Sequence, residues 1–385
     1  MAKIHIALVG GQTYPVYLGI AETSPDKVIL VHSTSSLAEA QRIAAEFEGS
    51  GIPFSFEQCD PVNVKLVLEK TRELSESMGD EDQFIINLTS GTKVWSILFH
   101  EAFETKPHVQ FIYVDQSCSI YDLSNGDSRQ GDMLDTDLVF RLNDTRALRY
   151  LDFNDLTDED LEAIRTIKSL HKFNWNDFTG LTVDNTPEKK KKFARPSDTY
   201  THNGSSITWD RETNIITIEL KNKDRNGMPK VETLSSEHIF DLVFNAGWFE
   251  AEVARHLSQW IHSHEVRLSV EFPYKEGNPK NEIDVIVNTG NRLLFVECKT
   301  IIHTLTDLDK FSKAVRNYGG TGCHALFVSY GSMSPRAEEK CRDNGIIPFS
   351  FRDALLAASE EERPFAIQKS LHQLLDKRLL TINKK

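Results

Sequence analysis

One stretch near residue 290 constrains the fold of this chain more than any other. Residues 281–300 read NEIDVIVNTGNRLLFVECKT, in which two apolar, β-branched runs flank the loop NTGN. Asn and Gly favour a tight reversal, so this stretch is predicted to form a β-hairpin. If Val287 pairs with Arg292, Glu282 lies opposite Glu297 across the ladder.

The predicted hairpin has one polar face. Because side chains alternate along a strand, Glu282, Asp284, Glu297 and Lys299 share that face. Like charges opposed across a ladder destabilise it unless something neutralises them, and carboxylate oxygens are ligands that Mg²⁺ or Mn²⁺ prefers. A metal site would therefore account for the cluster. The alternative is a hairpin with a wet face, on which the acids and the lysine merely solvate and pair.

These residues resemble the core of a known enzyme class. Asp284, followed on the next strand by the tripeptide Glu297–Lys299, resembles the PD-(D/E)xK core of restriction-endonuclease-like nucleases. Ile283 stands where that motif has proline, which is a common departure. The resemblance implies a restriction-endonuclease-like fold and metal-dependent hydrolysis of phosphodiesters in DNA or RNA. The implied catalytic residues are Glu282, Asp284, Glu297 and Lys299.

The same nucleases often add a glutamate from a preceding helix. Residues 246–261 are predicted to be helical, with an apolar face formed by Phe249, Val253, Leu257, Trp260 and Ile261. Glu250 borders this face, and the resemblance makes Glu250, Asp284 and Glu297 the ligands of a Mn²⁺ or Mg²⁺ ion. The alternative is that Glu250 is an ordinary solvated helix residue.

The remainder of the C-terminal third indicates an α/β domain around the hairpin. The predicted elements are a helix over 307–318 with Thr306 as a cap, a strand over 324–330, a helix over 334–344 and a strand over 346–351. Alternation of strands and helices favours a largely parallel extension of the sheet.

The N-terminal part is predicted to be a second, Rossmann-like α/β unit. Strands are expected at 3–9, 27–32, 54–57, 84–88 and 109–114, and helical periodicity occupies 37–47, 62–78 and 93–105. A doubly wound 3-2-1-4 strand order would place the loops after the first and fourth strands beside the crevice where ligands bind.

Those loops are rich in glycine, hydroxyl groups and backbone amides, which suit phosphate. The first contains Gly10, Gly11 and Gln12, and the other contains Thr89, Ser90, Gly91, Thr92 and Lys93. Ser33 and Thr34 after the second strand are further candidates. The chain has neither a Gly-x-Gly-x-x-Gly nor a Walker sequence, so a dinucleotide cofactor or an NTPase is not supported. A glycine pair after a strand can also be an ordinary turn.

The two loops resemble the ligand loops of CARF domains, the sensory domains of type III CRISPR ancillary proteins. Proteins that join a CARF domain to a PD-(D/E)xK domain are nucleases switched on by cyclic oligoadenylates, usually cyclic tetra-adenylate. The resemblance therefore implies a homodimer that binds cyclic tetra-adenylate across its two-fold axis. It also implies nuclease activity in antiviral defence.

Composition and charge set the outer limits. The formal net charge of −13 is unusual for a nuclease, which needs local positive charge; Lys189–Lys192 with Arg195, or Lys221, Lys223, Arg225 and Lys230, could supply it. A solvated lysine-rich loop is the simpler interpretation of the first cluster. Five scattered cysteines give no disulfide or zinc pattern. Without a membrane-length apolar run or a signal-peptide pattern, the protein is expected to be soluble and cytoplasmic, with no membrane partner.

Three regions are expected along the chain: a CARF sensor over 1–140, a mixed α/β connector over 141–235 and a nuclease domain over 236–385. The connector region is predicted to contain a helix over 156–173 and a hairpin around Asp210–Thr213. Two other functions remain open. One is a ligand-responsive regulatory or binding protein with an inactive nuclease-like domain, and the other is a constitutive restriction or repair nuclease.

Overall fold

The computed structural model describes residues 1–77, 79, 81–115, 117–133, 135–183, 186–223, 229–274, 279–290, 292–300, 305–320 and 323–380. Contacts divide the chain into two units. The first contains Met1–Ala147, Asn288–Leu293 and Ala314–Cys323, and the second contains Leu148–Val287, Leu294–Lys313 and His324–Lys385.

The first unit is built on a seven-stranded sheet of order β3-β2-β1-β4-β5-β6-β7. Its elements are β1 Lys3–Val9, α1 Tyr14–Thr23, β2 Lys27–His32, α2 Leu37–Ala45, β3 Phe54–Gln58, α3 Val64–Glu76, β4 Gln83–Asn87, α4 Lys93–Phe103, β5 Val109–Val114, β6 Ser119–Asp122, β7 Ser128–Gln130 and α5 Thr136–Leu142. Strands β1 to β5 are parallel, and β6 and β7 add antiparallel neighbours. The predicted Rossmann-like fold and its 3-2-1-4 strand order are confirmed.

The five predicted N-terminal strands form because their apolar runs are buried between helices. Ile6, Leu8 and Val31 are fully buried, and Phe99 and Phe103 of α4 pack in the same core. The sequence pattern predicts no helix between β1 and β2, yet α1 lies there. Proline in its first turn is compatible with a helix start, but half of its residues are buried and none is fully exposed, which leaves no polar face to reveal helical periodicity.

The second unit contains two sheets. Its elements are β8 Arg149–Asp152, α6 Asp158–Phe173, α7 Trp175–Thr182, α8 Pro187–Phe193, β9 Ser197–His202, β10 Ser205–Asp210, β11 Ile215–Lys223, β12 Pro229–Ser235, α9 Ile239–Phe244, α10 Gly247–Ser258, β13 Glu265–Pro273, β14 Pro279–Asn288, β15 Leu293–Lys299, the first part of α11 Thr306–Gly319, β16 His324–Ser329, α12 Pro335–Asp343, β17 Ile346–Ser350, α13 Phe351–Ala357 and α14 Ala366–Leu375. From Ala314 onward, α11 belongs to the first unit. The six-stranded sheet has the order β17-β16-β15-β14-β13-β8, and β12-β11-β10-β9 form the other.

The predicted parallel extension is present, since β15, β16 and β17 pair in parallel. The predicted hairpin of the middle region is also present, with Asp210 opposite Ile215. Helix α6 begins with a capping box in which Thr157 and Asp160 satisfy each other's backbone amides. Strand β8 joins the larger sheet antiparallel to β13, so the middle of the chain contributes to the sheet that carries the hairpin. The fold class is therefore mixed α/β in both units.

One detail of the predicted helix over 246–261 is wrong. Phe249, Val253, Leu257 and Trp260 are buried as expected, but Ile261 is 83% exposed. The helix ends at Ser258, so the backbone turns away before Ile261 and the helical spacing no longer applies. Among the described residues, no helix is both long enough and apolar enough to cross a membrane.

Candidate active site and ligand loops

The hairpin brings its charged residues together at the carboxyl end of β15. Strands β14 and β15 are sheet neighbours, and the Thr289 amide donates to the Arg292 carbonyl at the turn between them. Gly290 adopts a φ of 83°, a left-handed conformation that glycine reaches without strain. The predicted register, Val287 with Arg292, stays a prediction.

Lys299 lies between two of the predicted catalytic carboxylates. Its Nζ is 2.6 Å from Oε1 of Glu297 and 3.6 Å from Oδ2 of Asp284. The Cys298 amide also donates to Asp284 Oδ2 at 2.6 Å, which orients that carboxylate. The opposite side chains, including Val285 and Val296, are fully buried. The alternation expected from the sequence therefore places three of the four residues in one polar cluster.

Glu250 and Glu282 approach the same cluster from other positions. Glu250 lies in the first turn of α10, which begins at Gly247 after Ala246, whose φ of 61° is left-handed. Carboxylates are favoured at a helix N-terminus by the macrodipole. Burial, followed by the charges of Asp284 and Glu282, raises the pKa of Glu250 well above its usual range. Glu282, near the start of β14, is an exposed residue as a whole. Partial burial of its carboxylate, followed by the Asp284 charge, raises its pKa.

The pKa shifts show that the carboxylates repel one another. Burial, then the Asp284 charge, raises the pKa of Glu297 to about 7 despite the Lys299 ammonium. Burial also raises the pKa of Asp284, although Lys299 and the Cys298 amide oppose it. For Lys299, burial lowers the pKa, but Asp284 and Glu297 outweigh it and hold the pKa above the ordinary value. One cation does not neutralise this many acids.

This donor set fits a hard divalent cation, because carboxylates whose pKa values are raised by burial and by the Asp284 charge gain stability from a further positive charge. Among the described residues, however, no three His, Cys, Asp or Glu side chains form a ready-made metal-binding group. Lys299 explains the difference, since its ammonium spans Asp284 and Glu297 and takes up oxygens that a cation would bind. Metal ligation by Glu250, Asp284 and Glu297 remains a prediction.

The loops predicted to hold a ligand meet at the carboxyl ends of β1, β2 and β4. The Gly10 amide donates to Ser90 Oγ at 3.0 Å, joining the first and fourth loops. The Ser33 and Ser36 hydroxyls are 3.1 Å apart, and Ser36 Oγ donates to the Val9 carbonyl at 2.8 Å. The second-strand loop therefore belongs to the same group. Neither Ser36 nor its role was predicted, because a serine in a loop carries no sequence signal of the contact it makes.

Glycine is required where the loop after β1 contacts the loop after β4. A Cβ on Gly10 would lie 2.8 Å from the Gly91 nitrogen, whereas a Cβ on Gly11 would meet nothing within 4 Å. Gly91 has a φ of 83°, and a Cβ there would lie 2.7 Å from the Trp95 ring. The simple-turn interpretation therefore suits Gly11 but not Gly10.

In the loop after β4, residues 89–93, some side chains are held by hydrogen bonds within the protein and others are exposed and accessible to a ligand. Thr89 Oγ1 lies 2.5 Å from Asn87 Oδ1 and accepts from the Val114 amide, so its hydroxyl is committed. Thr92 caps α4 through the Trp95 amide and donates to the Pro61 carbonyl. Lys93 is exposed and has no ion-pair partner among the described residues. Gln12 and Thr34 are exposed as well, although the Gln58 amide donates to the Thr34 hydroxyl.

The basic clusters considered for nucleic acid are largely engaged within the protein. Lys189 donates to the carbonyls of Gly180 and Val183, and Lys192 lies 3.7 Å from Asp198. Residues 187–193 form helix α8, so the expected lysine-rich loop is wrong. Lys221 pairs with Asp177 at 3.1 Å and Lys230 with Glu232 at 3.6 Å. Arg225 lies outside the described residues.

Comparisons with known proteins agree with this architecture. The family model described as the Card1 CARF domain matches residues 4–136. Comparison with curated proteins finds no match. Can2 from Sulfobacillus thermosulfidooxidans, solved with cyclic tetra-adenylate, is 20% identical with a TM-score of 0.64, covering 97% of this chain and 98% of that chain.

Two further solved structures share the fold. Protein VC1899 from Vibrio cholerae is 15% identical with a TM-score of 0.65, covering 98% of each chain. A type III CRISPR defence DNA nuclease activated by cyclic oligoadenylate is 15% identical with a TM-score of 0.56, covering 98% of this chain and 52% of that chain. Residues 4–136 thus match the Card1 CARF domain, within a chain that shares its fold with Can2 over nearly its whole length.

Proposed function

We propose that this protein is a metal-dependent nuclease that cyclic tetra-adenylate activates in type III CRISPR antiviral defence, and that it cleaves DNA, RNA or both. One observation carries the proposal: the Glu250, Asp284 and Glu297 carboxylates are buried together near Lys299, and the Asp284 charge helps burial to raise the pKa of both Glu250 and Glu297. Strongly raised pKa values of clustered, buried carboxylates are common at functional sites. The CARF domain and the fold of Can2, which was solved with that ligand, support the same function.

The proposed chemistry assigns a role to each acidic residue. Glu250, Asp284 and Glu297, with Glu282 at the edge, would hold Mn²⁺ or Mg²⁺. Such an ion lowers the pKa of a bound water and stabilises charge on the phosphate in the transition state. Lys299, held by Glu297, would orient the attacking water or offset the developing negative charge.

The proposed activator site lies on the CARF loops. Backbone amides and hydroxyls of residues 10–12, 33–34 and 89–93 would contact the phosphates of the ring, with Lys93 supplying a positive charge. A two-fold symmetric ligand is best matched by a two-fold dimer, because such a dimer presents two copies of one surface. We therefore infer a homodimer whose CARF domains enclose the activator.

We assign a separate role to each of the three predicted regions. Residues 1–140 would sense the activator and 236–385 would cleave nucleic acid. Residues 141–235 would connect them. Strand β8 pairs with β13, so part of this connector would also support the nuclease sheet.

The test is incubation of the purified protein with labelled DNA and labelled RNA in Mn²⁺, with and without cyclic tetra-adenylate. Cleavage that requires both the metal and the activator supports the proposal. Cleavage that ignores the activator would instead indicate a constitutive nuclease.

A regulatory protein with an inactive nuclease-like domain is the second candidate. It is favoured by one observation, since Lys299 spans Asp284 and Glu297 and no ready-made metal group occurs in the described part of the chain. Such a protein would bind the activator but neither bind Mn²⁺ nor cleave. Calorimetric titration with MnCl₂ separates the two candidates.

A further inference from the structure

A second concave surface in the C-terminal unit is used by none of the roles above. It is a cleft with a volume of about 1100 Å³. Small-molecule sites commonly have volumes of roughly 300–1,000 Å³, so this cleft is large enough for a nucleotide. Its walls come from α6, α7, α10, the end of β16 and α13. Residues far apart in the chain form it, so no sequence motif marks it.

The cleft adjoins the candidate active site through short backbone connections. Thr300, which lines the cleft, directly follows Lys299. The amide of Tyr330, another lining residue, donates to the Lys299 carbonyl at 3.0 Å. Trp248 lines the cleft two residues before Glu250 on the same helix. A strand cleaved beside Lys299 would therefore have neighbouring nucleotides within reach of the cleft.

Aromatic rings form one wall. Trp175 and Tyr330 are nearly parallel, with ring centres 6.4 Å apart and planes 10° apart. The His171 ring stands edge-on to both, at 4.1 Å and 4.5 Å. Trp175 and Tyr330 are both partly exposed. A flat ring can therefore stack on this wall, as bases do in single-strand binding proteins.

A buried polar group lies in the same wall. His171 is 5% exposed, and its Nδ1 has no hydrogen-bond partner among the described residues. A buried polar atom without a partner destabilises the folded protein. Burial lowers the pKa of His171 to about 4, so the ring is neutral at physiological pH. A neutral ring can donate or accept, which suits the edge of a base better than a charged group.

The rim is positively charged in a protein whose formal net charge is −13. The lining contains five Lys or Arg residues and one acid, Glu252. Glu252 is 4% exposed and pairs with Lys168 and Arg255, so its charge is neutralised. The other three cations, Lys172, Arg352 and Arg363, are exposed and have no carboxylate partner among the described residues. This charge complements phosphate rather than an apolar peptide.

We propose that the cleft is a base pocket for the substrate strand. An unpaired nucleobase stacks on Trp175 and Tyr330, and the adjoining phosphates lie against Lys172, Arg352 and Arg363. The pocket rests on the proposed nuclease function, which it deepens by assigning a site for an extruded or single-stranded base. Each stacked base contributes roughly 1–3 kcal/mol, so removal of the aromatic wall should weaken binding by about 10-fold or more.

Binding without cleavage tests the pocket. Fluorescence anisotropy in EDTA, with saturating cyclic tetra-adenylate, compares a labelled 12-nucleotide single strand with a strand of equal length and charge in which every position is abasic. We expect the wild-type protein to bind the base-containing strand about 10-fold more tightly. Trp175→Ala should remove this difference while leaving abasic binding unchanged, and Trp175→Phe should keep most of it.

Matched variants separate the pocket from general effects. Phe173→Ala removes an exposed aromatic ring two residues away that does not line the cleft but has its centre 5.2 Å from the Lys172 ammonium, and it should keep the difference in affinity between the two strands. Lys172→Ala should weaken both strands alike, whereas Arg165→Ala, an exposed cation outside the cleft, should weaken neither. Equal wild-type affinity for the two strands, or equal weakening of both by Trp175→Ala, would overturn the base pocket. If the wild type still cleaves with Mn²⁺ in that case, the proposed nuclease function survives the failure of the pocket.

Discussion

At the scale of single residues, Lys299 is the centre of the candidate active site. Its ammonium contacts Glu297 and Asp284 and partly offsets their mutual repulsion. The carboxylates retain raised pKa values nonetheless, because burial and repulsion outweigh one lysine. This imbalance makes the site responsive to protons and to cations.

We expect Lys299→Ala and Glu297→Ala each to reduce cleavage by about 100-fold or more, because the first removes a cation that offsets the developing negative charge and the second removes a proposed ligand of the metal ion. Binding of cyclic tetra-adenylate should be unchanged, since the proposed activator loops lie in the other unit. Lys340→Ala removes a partly exposed lysine paired with Asp309 and serves as the control. Near-normal cleavage by either active-site variant would contradict the assignment.

Glu297 should also make stability depend on pH. Its folded pKa of about 7 exceeds the ordinary value of 4.5, so its protonated form stabilises the fold below pH 4.5. That stabilisation is lost as the pH rises to about 7, and the shift corresponds to roughly 3 kcal/mol. Without metal, the free energy of unfolding of Glu297→Gln relative to wild type should therefore increase by about that amount between pH 4.5 and 8. Denaturant titrations at the two pH values measure it, and a constant difference would count against the shift.

A bound divalent ion should oppose the loss of stability that ionisation of Glu297 causes as the pH rises. A bound cation favours the ionised carboxylates, so MnCl₂ should raise the melting temperature of the wild type more at pH 8 than at pH 5. Cleavage should need Mn²⁺ or Mg²⁺, with Mn²⁺ at least as effective, because sites with few carboxylate ligands accept both. Thermal melts of wild type and Glu297→Gln with and without MnCl₂ give a reading independent of activity. Full cleavage in excess EDTA would exclude the metal mechanism.

At the scale of elements, three strand ends of one parallel sheet build the ligand loops. Parallel strands place their carboxyl ends at one edge, so loops that are distant in sequence lie together. The contact of the Gly10 amide with Ser90 Oγ shows how closely they approach. Bulk at this contact would force the loops apart.

Gly10→Ala should raise the concentration of cyclic tetra-adenylate needed for half-maximal cleavage by about 10-fold. The added Cβ would lie 2.8 Å from the Gly91 nitrogen, which belongs to backbone and cannot move alone. A distortion that weakens binding by about 1.4 kcal/mol changes affinity tenfold. Gly11→Ala is the matched control, since its Cβ would meet nothing within 4 Å. Equal responses of the two variants would show that the loop contact does not shape the activator site.

At the scale of the whole molecule, activation requires the ligand to favour one arrangement of the protein over another. A ligand shifts such an equilibrium only through a difference in affinity for the two arrangements. A symmetric dimer of CARF domains offers a ligand two copies of each loop. A variant that contacts the ligand more weakly should therefore need a higher activator concentration for half-maximal cleavage, while the cleavage step itself is unchanged.

Lys93→Ala should raise the activator concentration for half-maximal cleavage while leaving the maximal rate unchanged. Lys93 is exposed in the first turn of α4, where the helix macrodipole disfavours a cation unless a ligand compensates. Lys27→Ala, at the opposite end of the parallel strands, is the control. Activator titrations of cleavage measure the shift, and superimposable curves for wild type and Lys93→Ala would show that this loop does not hold the activator.

The sequence by itself determined the elements whose patterns are strong and local. The runs at Lys3–Val9, Lys27–His32 and Val109–Val114 alternate with helical periodicity, which is enough to predict the Rossmann-like order. The clustering of Asp284, Glu297 and Lys299 also followed from strand alternation, because a period of two is a property of the backbone. Local rules decided all of these features.

Only the tertiary structure decided which distant groups meet. The contact between Gly10 and Ser90, the position of Lys299 between two carboxylates and the aromatic cleft around His171 all depend on side chains from separate elements. Burial of α1 and exposure of Ile261 depend equally on what packs against them. Such contacts carry no periodic signal, since they arise when whole faces of the chain are packed against each other rather than from any local run of residues.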